Sequence, residues 1–191
     1  MTIGLFFGSF NPIHIGHLII ANYMASYTDL SEVWLVVSPH NPLKHKKGLS
    51  NMYDRLEMAR LATESSDYLK VSNIEFGLPQ PSYTVDTLAY LKEKYPTKDF
   101  AIIMGADNLS SFKKWKNYEV ILQNYKIYVY PRPGANIDEW RDHPSVVLTD
   151  TPQMDISSTF IRKAVKEGKS IQYLVPENVI AFMDGKNMYR L

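Results

Sequence analysis

Short apolar segments alternate with amphipathic helical segments along this chain of 191 residues, and the alternation constrains the fold more than any other feature. Short apolar runs predict buried strands, and apolar residues at helical spacing predict helices between them. The predicted strands cover residues 2–7, 32–37, 70–75, 99–104, 126–130 and 145–148. This pattern predicts an α/β fold with a doubly wound, mostly parallel, Rossmann-like sheet and helices on both faces. The loops that follow the strands would gather at one edge of that sheet.

The length suits one domain with a sizeable core. We predict a single domain over residues 1–191, with a small C-terminal helical portion at 152–191. Lys and Arg number 21 against 20 Asp and Glu, so no overall basic field attracts a nucleic-acid polymer or a membrane surface. The absence of cysteine excludes thiol nucleophiles, disulfides and cysteine metal sites. Without a signal-like or membrane-length apolar run, we expect a soluble cytoplasmic protein, and an oligomer is left open.

The loop between the first strand and the first helix reads Gly-Ser-Phe-Asn-Pro-Ile-His-Ile-Gly-His over residues 8–17. Gly8 and Gly16 allow backbone N–H groups to approach an anion closely, and the start of the helix adds a partial positive charge. His14 and His17 are three residues apart and can face one ligand, with no neighbouring cysteine or carboxylate to indicate a metal cluster. The loop therefore indicates a phosphate site, unless the histidines only cap the helix.

This stretch resembles the Gly-x-Phe-x-Pro-x-His-x-Gly-His signature of the nucleotidylyltransferases related to class I aminoacyl-tRNA synthetases. In that superfamily the two histidines contact the ATP phosphates and stabilise the α-phosphoryl group that is transferred. The resemblance implies catalytic roles for His14 and His17. It implies ATP binding at Gly8, Ser9, Phe10 and Gly16. Phosphoryl chemistry further implies Mg²⁺ bound largely by ATP oxygens and water, without a cluster of protein ligands.

A second candidate phosphate site lies at residues 156–162, Ile-Ser-Ser-Thr-Phe-Ile-Arg. Ser157 or Ser158 can cap a helix there, and Arg162 offers a planar fork for a phosphate. Taken alone, the segment would be a helix cap with a surface arginine. It closely resembles the Ile-Ser-Ser-Thr-x-Ile-Arg signature that binds the β- and γ-phosphates of ATP in the same superfamily. That resemblance implies ATP binding at Ser157, Ser158 and Thr159, and a catalytic role for Arg162.

Two further segments resemble those with which nicotinate mononucleotide adenylyltransferases bind the pyridine nucleotide. Ser82-Tyr83-Thr84 opens a predicted helix that Ser82 or Thr84 can cap, and the resemblance implies that the Thr84 backbone lies near the nicotinate carboxylate. Trp115 corresponds to the tryptophan of a Phe-x-x-Trp segment that stacks on the nicotinate ring, although a core tryptophan is the simpler alternative. In that family the backbone amide after the tryptophan contacts the nicotinate carboxylate. Lys116 stands where many members have tyrosine, so only the backbone contact is carried over.

Three other positions follow the carboxyl ends of predicted strands. Gly105 permits close approach of a ligand, and Asp107 can accept hydrogen bonds from ribose hydroxyls or serve as a helix N-cap. Arg132 follows the strand at 126–130 and is predicted either to touch the nucleotide or to form a structural salt bridge. All three are predicted nucleotide-binding residues.

Two further basic residues lie outside these motifs, and only the first is a predicted site residue. Lys44 begins a basic loop at 44–47 that is either a solvated loop or a phosphate contact, and the resemblance favours ATP binding there. The amphipathic helix predicted over 52–63 is assigned no chemistry, and Arg55 is placed on its polar face.

The resemblance covers essentially the full chain and implies an enzyme of the nicotinate-nucleotide adenylyltransferase family. Members transfer the adenylyl group of ATP to nicotinate mononucleotide, giving deamido-NAD and pyrophosphate, so ATP and nicotinate mononucleotide are the expected partners. The nearest alternative is another small adenylyltransferase, such as the phosphopantetheine enzyme, against which residues 82–88 and Trp115 argue. A cytidylyltransferase is a weaker alternative, and a non-catalytic nucleotide sensor is the alternative from a different class. The preference between the acid and amide forms of the mononucleotide is left open.

Overall fold

The computed structural model of the protein describes residues 1–40 and 48–190. Its strands are β1 (Thr2–Gly8), β2 (Leu30–Val37), β3 (Leu69–Ser72), β4 (Asp99–Gly105), β5 (Ile127–Tyr130) and β6 (Val146–Leu148). They form one parallel sheet in the order β3-β2-β1-β4-β5-β6. The order reverses between β1 and β4, and α/β sheets bind ligands at such a switch point. The predicted fold class is confirmed.

Helices cover both faces of the sheet. They are α1 (Ile15–Tyr27), α2 (Met52–Thr63), α3 (Thr84–Lys94), α4 (Ala106–Ser110), α5 (Tyr118–Asn124), α6 (Ser158–Lys166) and α7 (Glu177–Gly185). One core cluster collects apolar residues of α1, α2, α6 and α7, and the other collects those of α3, α4 and α5. The central strands are continuous apolar runs because both faces are buried. None of the helices within the described residues is long and apolar enough to span a bilayer.

The edge strand β3 is shorter than predicted. It ends at Ser72, and a 3₁₀ turn follows at Ile74–Gly77, so the prediction of a strand through Glu75 is wrong. The hydroxyl of Ser72 accepts a hydrogen bond from the backbone N–H of Ile74 at 3.3 Å. This contact turns the chain away from the sheet and directs Glu75 into the interior, where it is 2% exposed.

The C-terminal part of the chain returns to the loop that follows β1. The backbone N–H of Ile15 donates to the carbonyl of Leu174 at 2.9 Å, and the Tyr189 hydroxyl donates to Asn11 Oδ1 at 2.8 Å. The segment that holds α6 and α7 therefore packs against the carboxyl edge of the sheet.

Candidate active site

Tight side-chain packing determines the shape of the loop between β1 and α1. Phe10 is buried beneath the loop with a φ of 46°, and its ring meets that of His17 edge-on at 5.1 Å. A Cβ atom at Gly8 would come within 2.7 Å of the Phe10 ring, and one at Gly16 within 3.1 Å of the His14 ring. A side chain at Gly8 would therefore collide with the Phe10 ring, whereas one at Gly16 would need the His14 ring to shift by a few tenths of an ångström.

The two histidines of the motif stack on one another. The ring centroids of His14 and His17 are 3.7 Å apart with an angle of 27° between the rings. His17 Nδ1 accepts a hydrogen bond from the backbone N–H of His14 at 3.2 Å, so His17 caps the start of α1. Both side chains nevertheless line the same cavity. The capping role and a ligand-facing position are thus compatible.

His14 is an uncharged imidazole at neutral pH. Burial, with a smaller contribution from the positive charge of Arg132, lowers the pKa of His14 to about 4. The residue is 5% exposed, and its Nδ1 has no hydrogen-bond partner among the described residues. A polar atom buried without a partner is unfavourable, and a ligand in the cavity would satisfy it.

The N-terminus of α6 docks onto the same loop. Ser157 is its N-cap, and its Oγ accepts a hydrogen bond from the backbone N–H of Phe160 at 3.2 Å. The hydroxyl of Ser158 donates to the carbonyl of Pro12, 146 positions away in sequence, at 2.9 Å. The predicted cap is confirmed for Ser157, whereas Ser158 joins the two motifs.

Arg162 completes this junction. Its Nη1 donates to the carbonyl of Asn11 at 2.8 Å and its Nη2 donates to Thr159 Oγ1 at 3.2 Å. The two motifs thereby enclose a cavity of about 460 Å³, which we call the histidine cavity. Its lining includes Gly8, Ser9, Phe10, His14, His17, Asp107, Arg132, Ser157, Ser158, Thr159 and Arg162.

Asp107 and Arg132 form the wall of this cavity at β4 and β5, whereas the predicted Gly105 is not among the described residues that line it. Gly105 is the N-cap of α4 and Asp107 lies in its first turn, so the capping alternative for Asp107 is wrong. A Cβ atom at Gly105 would overlap the carboxylate of Asp107. Arg132 Nε lies 3.9 Å from Asp107 Oδ1, and its guanidinium lies over the Tyr130 ring at 5.2 Å. Since Arg132 Nε is buried without a hydrogen-bond partner in the described part of the chain, the ion pair leaves it available to a ligand.

A smaller cavity of about 200 Å³ adjoins the histidine cavity beyond β5, and we call it the side cavity. The two share Tyr130, Arg132 and Ile156 in their lining. Gly16 and Ile20 of α1 form its other wall, so the motif glycine Gly16 lies here rather than in the histidine cavity. The sequence did not predict this cavity.

A third cavity, of about 350 Å³, brings together all five residues predicted to bind the pyridine nucleotide. We call it the tryptophan cavity, and it is lined by Ser82, Tyr83, Thr84, Trp115 and Lys116. It meets the histidine cavity at the carboxyl end of β1, because both are lined by Phe7, Gly8, Ser9 and Asn108. Ligands in the two cavities would therefore lie side by side.

The side chain of Lys116 takes part in the tryptophan cavity, although the sequence supported only its backbone. Its Nζ donates to both carboxylate oxygens of Asp86, at 2.8 and 3.1 Å, and lies 4.8 Å from the centre of the Tyr83 ring. Trp115 packs edge-on against Phe112 with ring centroids 5.2 Å apart. Its indole Nε1 is buried and has no hydrogen-bond partner among the described residues.

The start of α3 differs from the prediction. Its N-cap is Tyr83, with no side chain capping the helix. Ser82 instead accepts a hydrogen bond from Gln80 Nε2 at 2.9 Å and is buried. The expected cap by Ser82 or Thr84 is therefore wrong, because Ser82 is engaged within the preceding loop.

Comparisons with known proteins identify the family. A family model described as cytidylyltransferase-like matches residues 5–164. Relatives from Christiangramia forsetii and Flavobacterium johnsoniae are 57% and 55% identical, over 98% and 100% of both chains, and each is named "Probable nicotinate-nucleotide adenylyltransferase". The chain belongs to the nicotinate-nucleotide adenylyltransferase family. The predicted family is confirmed.

Solved structures agree on the fold. The chain is similar to the Plasmodium falciparum nicotinic acid mononucleotide adenylyltransferase complexed with NaAD, with a TM-score of 0.83 and 21% identity over 98% of this chain and 97% of that one. The complex of the same enzyme with APC gives a TM-score of 0.82 at 21% identity, covering 98% and 96%. At this identity the likeness shows the nucleotidyltransferase fold alone.

Arg55 supports the loops of the site through buried hydrogen bonds, and its assignment to the polar face of α2 is wrong. The side chain is fully buried and donates to the carbonyls of Ser9 (2.6 Å), Ser38 (2.8 Å), Pro39 (3.0 Å) and Ser50 (3.1 Å). Burial lowers the pKa of Arg55. The guanidinium therefore ties the loop after β1 to the end of β2 and to the start of α2.

Asn11 is a second buried polar residue that the sequence did not single out. Its Nδ2 donates to the carbonyl of Gly48 at 2.9 Å. Its Oδ1 accepts from the backbone N–H of Ser50 at 3.1 Å and from the Tyr189 hydroxyl. Asn11 thus joins the loop between β1 and α1 to residues 48–50 and to Tyr189.

The predicted phosphate contact Lys44 lies outside the described residues. Within residues 1–40 and 48–190, no group of three or more His, Cys, Asp or Glu side chains could hold a metal ion. Asp107 is the one carboxylate among the described residues that line the histidine cavity. This donor set fits a metal that arrives with a polyphosphate better than one resident in the protein.

Proposed function

We propose that this protein transfers the adenylyl group of ATP to nicotinate mononucleotide, giving deamido-NAD and pyrophosphate in a step of NAD biosynthesis. The observation that carries the proposal is that the histidine and tryptophan cavities meet at Gly8 and Ser9. Each cavity is lined by the family motif for one of the two substrates. The proposal thus explains why two ligand sites adjoin.

Buried polar atoms support the assignment of one substrate to each of these two cavities. Within the described part of the chain, five buried side-chain nitrogen or oxygen atoms have no hydrogen-bond partner. Four of them line the two cavities, namely His14 Nδ1, Arg132 Nε, Glu75 Oε2 and Trp115 Nε1. Folded proteins rarely bury such atoms without a partner, so polar ligands in both cavities account for them.

ATP binds in the histidine cavity with its triphosphate between the loop after β1 and the N-terminus of α6. The first-turn amides of α6 and the fork of Arg162 favour the β- and γ-phosphates. His14 and His17 contact the α-phosphoryl group, and Arg132 adds positive charge beside them. The remaining ATP ligands in this proposal are Gly8, Ser9, Phe10, Gly16, Gly105, Asp107, Ser157, Ser158, Thr159 and Lys44.

The nucleoside part of ATP extends into the side cavity. A flat base fits a cavity of about 200 Å³ with walls formed by Ile20, Tyr130 and Ile156. Asp107, at the boundary of the histidine cavity, is placed to accept hydrogen bonds from the ribose hydroxyls. Gly105 contributes by leaving room for that carboxylate.

Nicotinate mononucleotide binds in the tryptophan cavity. Trp115 stacks on the pyridine ring, and the backbone amides of Thr84 and Lys116 receive the nicotinate carboxylate. The Lys116 ammonium, held beside Tyr83 by Asp86, adds a positive charge near that carboxylate. Ser82 and Tyr83 complete the wall of the cavity.

The reaction then needs alignment and neutralisation of charge more than proton transfer. An oxygen of the mononucleotide 5′-phosphate, already anionic at neutral pH, forms a bond to the α-phosphorus of ATP. The bond from the α-phosphorus to the bridging oxygen breaks, and pyrophosphate leaves with the electron pair. His14, uncharged in this structure, acts as a hydrogen-bond donor whose pKa rises beside a polyanion.

Mg²⁺ held by the phosphate oxygens would supply further neutralisation of the triphosphate when bound, and Asp107 is the one carboxylate among the described residues of the histidine cavity. Arg162 and the N-terminus of α6 hold the departing pyrophosphate. In this proposal the whole chain acts as a single nucleotidylyltransferase domain and works in the cytoplasm.

The proposal is tested by pyrophosphate release from purified protein with ATP and Mg²⁺. Nicotinate mononucleotide, nicotinamide mononucleotide and phosphopantetheine are offered in parallel. We expect turnover with nicotinate mononucleotide and its loss in His14→Asn and His17→Asn. Turnover with phosphopantetheine alone would replace the proposed acceptor, and no turnover with any acceptor would favour a nucleotide sensor.

A further inference from the structure

Glu75 is a buried acid in the wall of the tryptophan cavity. It lies in the 3₁₀ turn Ile74–Gly77, is 2% exposed, and lines the cavity with Ser38 and Ser82. The hydroxyl of Thr87, itself fully buried, donates to Glu75 Oε1 at 2.9 Å. The other oxygen, Oε2, is buried and has no hydrogen-bond partner among the described residues.

The surrounding loop fixes the position of this carboxyl group. Gln80 Nε2 donates to the backbone carbonyl of Glu75 at 3.0 Å and to Ser82 Oγ at 2.9 Å. Thr87 also belongs to α3, whose first residue is Thr84. Glu75 is thus held on both its backbone and its side chain by the segment that carries the family motif for the mononucleotide.

We propose that Glu75 is a substrate-binding residue whose Oε2 hydrogen-bonds an anionic oxygen of the acceptor mononucleotide, in its carboxylate or its phosphate. This inference rests on the proposed function. The polar groups of nicotinate mononucleotide are a carboxylate, ribose hydroxyls and a phosphate, so nearly every atom that could meet Oε2 is an oxygen. Contact with an anionic oxygen requires that Oε2 carry a proton, because two anionic oxygens repel each other.

The surroundings of Glu75 favour the protonated form. Burial raises the pKa of Glu75, and the hydrogen bond from Thr87, together with the neighbouring hydroxyls of Ser38 and Ser82, lowers it by less. The ionisable groups that line the cavity with it are Tyr83, Lys114 and Lys116, and Lys116 is paired with Asp86.

On the side of β2, Arg55 donates to the carbonyl of Ser38 and to three further carbonyls, so it forms no ion pair with Glu75 among the described contacts. In its protonated form the acid donates a hydrogen bond toward an anionic ligand. Its ionisation at higher pH would turn that donor into a repulsive charge.

The test measures the KM for nicotinate mononucleotide against pH, from about pH 6 to about pH 9, in wild type, Glu75→Gln and Glu75→Leu. Glutamine keeps the shape and a donor but cannot ionise, so its KM should lack the rise at high pH that Glu75 causes. In the wild type we expect KM to rise toward tenfold per pH unit above the pKa of Glu75. Leucine should raise KM at least tenfold at every pH. Glu57→Gln removes an exposed carboxylate and serves as the matched control.

The KM for ATP separates a binding role from a structural one, since ATP binds in the neighbouring cavity. We expect it to stay within about twofold of wild type in every variant. A parallel rise in both KM values for Glu75→Gln would overturn the inference in favour of a purely structural role. A Glu75→Leu variant with unchanged KM for the mononucleotide would also overturn it. If Glu75→Leu does not fold, the pH dependence of wild type and Glu75→Gln still decides, and identical profiles refute the inference.

Wild-type activity distinguishes the two levels of the proposal. A wild-type protein that does not turn over nicotinate mononucleotide refutes the proposed function and this inference with it. Normal wild-type turnover, with Glu75 variants that behave like Glu57→Gln, refutes the inference alone.

Discussion

The buried imidazole of His14 makes the stability of the protein depend on pH in a way that one substitution isolates. Its pKa is lowered to about 4 from an ordinary value near 6.5, chiefly by burial. As the pH falls below about 6.5, the unfolded chain binds a proton at this residue that the folded protein does not bind. Stability is therefore lost as the pH falls through the interval between these two values.

The magnitude follows from the two pKa values. From pH 7 to pH 5 the linkage relation gives a loss of about 2 kcal/mol, and the loss reaches about 3 kcal/mol near pH 4. Glutamine at position 14 cannot be protonated, so His14→Gln should lose about 2 kcal/mol less than wild type between pH 7 and pH 5. Carboxylates that titrate in this range are present in both proteins, and their effects cancel in the difference.

Urea unfolding followed by circular dichroism at pH 7, 6 and 5 measures this difference. His143→Gln, which alters a histidine outside all three described cavities, is the matched control and should keep the wild-type dependence on pH. If wild type and His14→Gln lose stability in parallel over this range, His14 is not held uncharged by burial, and the reasoning fails.

Three further substitutions have defined outcomes. Arg55→Met removes a buried group that satisfies four carbonyls, and should lower the free energy of unfolding by about 4 kcal/mol. The control Arg60→Met, at an exposed ion pair, should change it by less than about 1 kcal/mol. Similar urea midpoints for the two variants would contradict the supporting role of Arg55. Trp115→Leu should raise the KM for nicotinate mononucleotide at least about tenfold through lost stacking, and leave the KM for ATP within about twofold of wild type. Steady-state kinetics in which the KM for ATP rises and that for the mononucleotide does not would exclude ring stacking there. Ser158→Ala removes the 2.9 Å hydrogen bond between α6 and the carbonyl of Pro12. It should weaken the affinity for ATP about fivefold and leave the affinity for the mononucleotide unchanged. Equal affinity of wild type and variant for ATP by calorimetry would mean that this contact does not hold the phosphate site together.

The fold could be predicted because its elements are determined by local pattern. Continuous apolar runs such as residues 100–104 of β4 are buried on both faces, and a parallel sheet needs crossover helices between its strands. The error at β3 has a physical cause, since an edge strand pairs on one side only and a single serine contact at Ser72 ends it. The pattern of hydrophobic residues in the sequence cannot reveal such a contact.

The residues of the candidate site divide in the same way. Motif residues such as His14, His17 and Trp115 could be found because their chemistry is carried by contiguous sequence. Arg55 and Glu75 could not, because charged residues are ordinarily exposed and their burial results from contacts with distant loops. The apolar residues Met58 and Ala59, three and four positions after Arg55, were a sequence signal that the arginine lies on the inner face of α2.

Adenylyl transfer itself is tested most directly by the fate of the ATP phosphorus atoms. ATP labelled at the α-phosphorus, and separately at the γ-phosphorus, is incubated with nicotinate mononucleotide, Mg²⁺ and purified protein, and the products are separated. The account predicts α-label in deamido-NAD and γ-label in pyrophosphate. Transfer of γ-label to the mononucleotide, or consumption of ATP with no labelled dinucleotide, would contradict it.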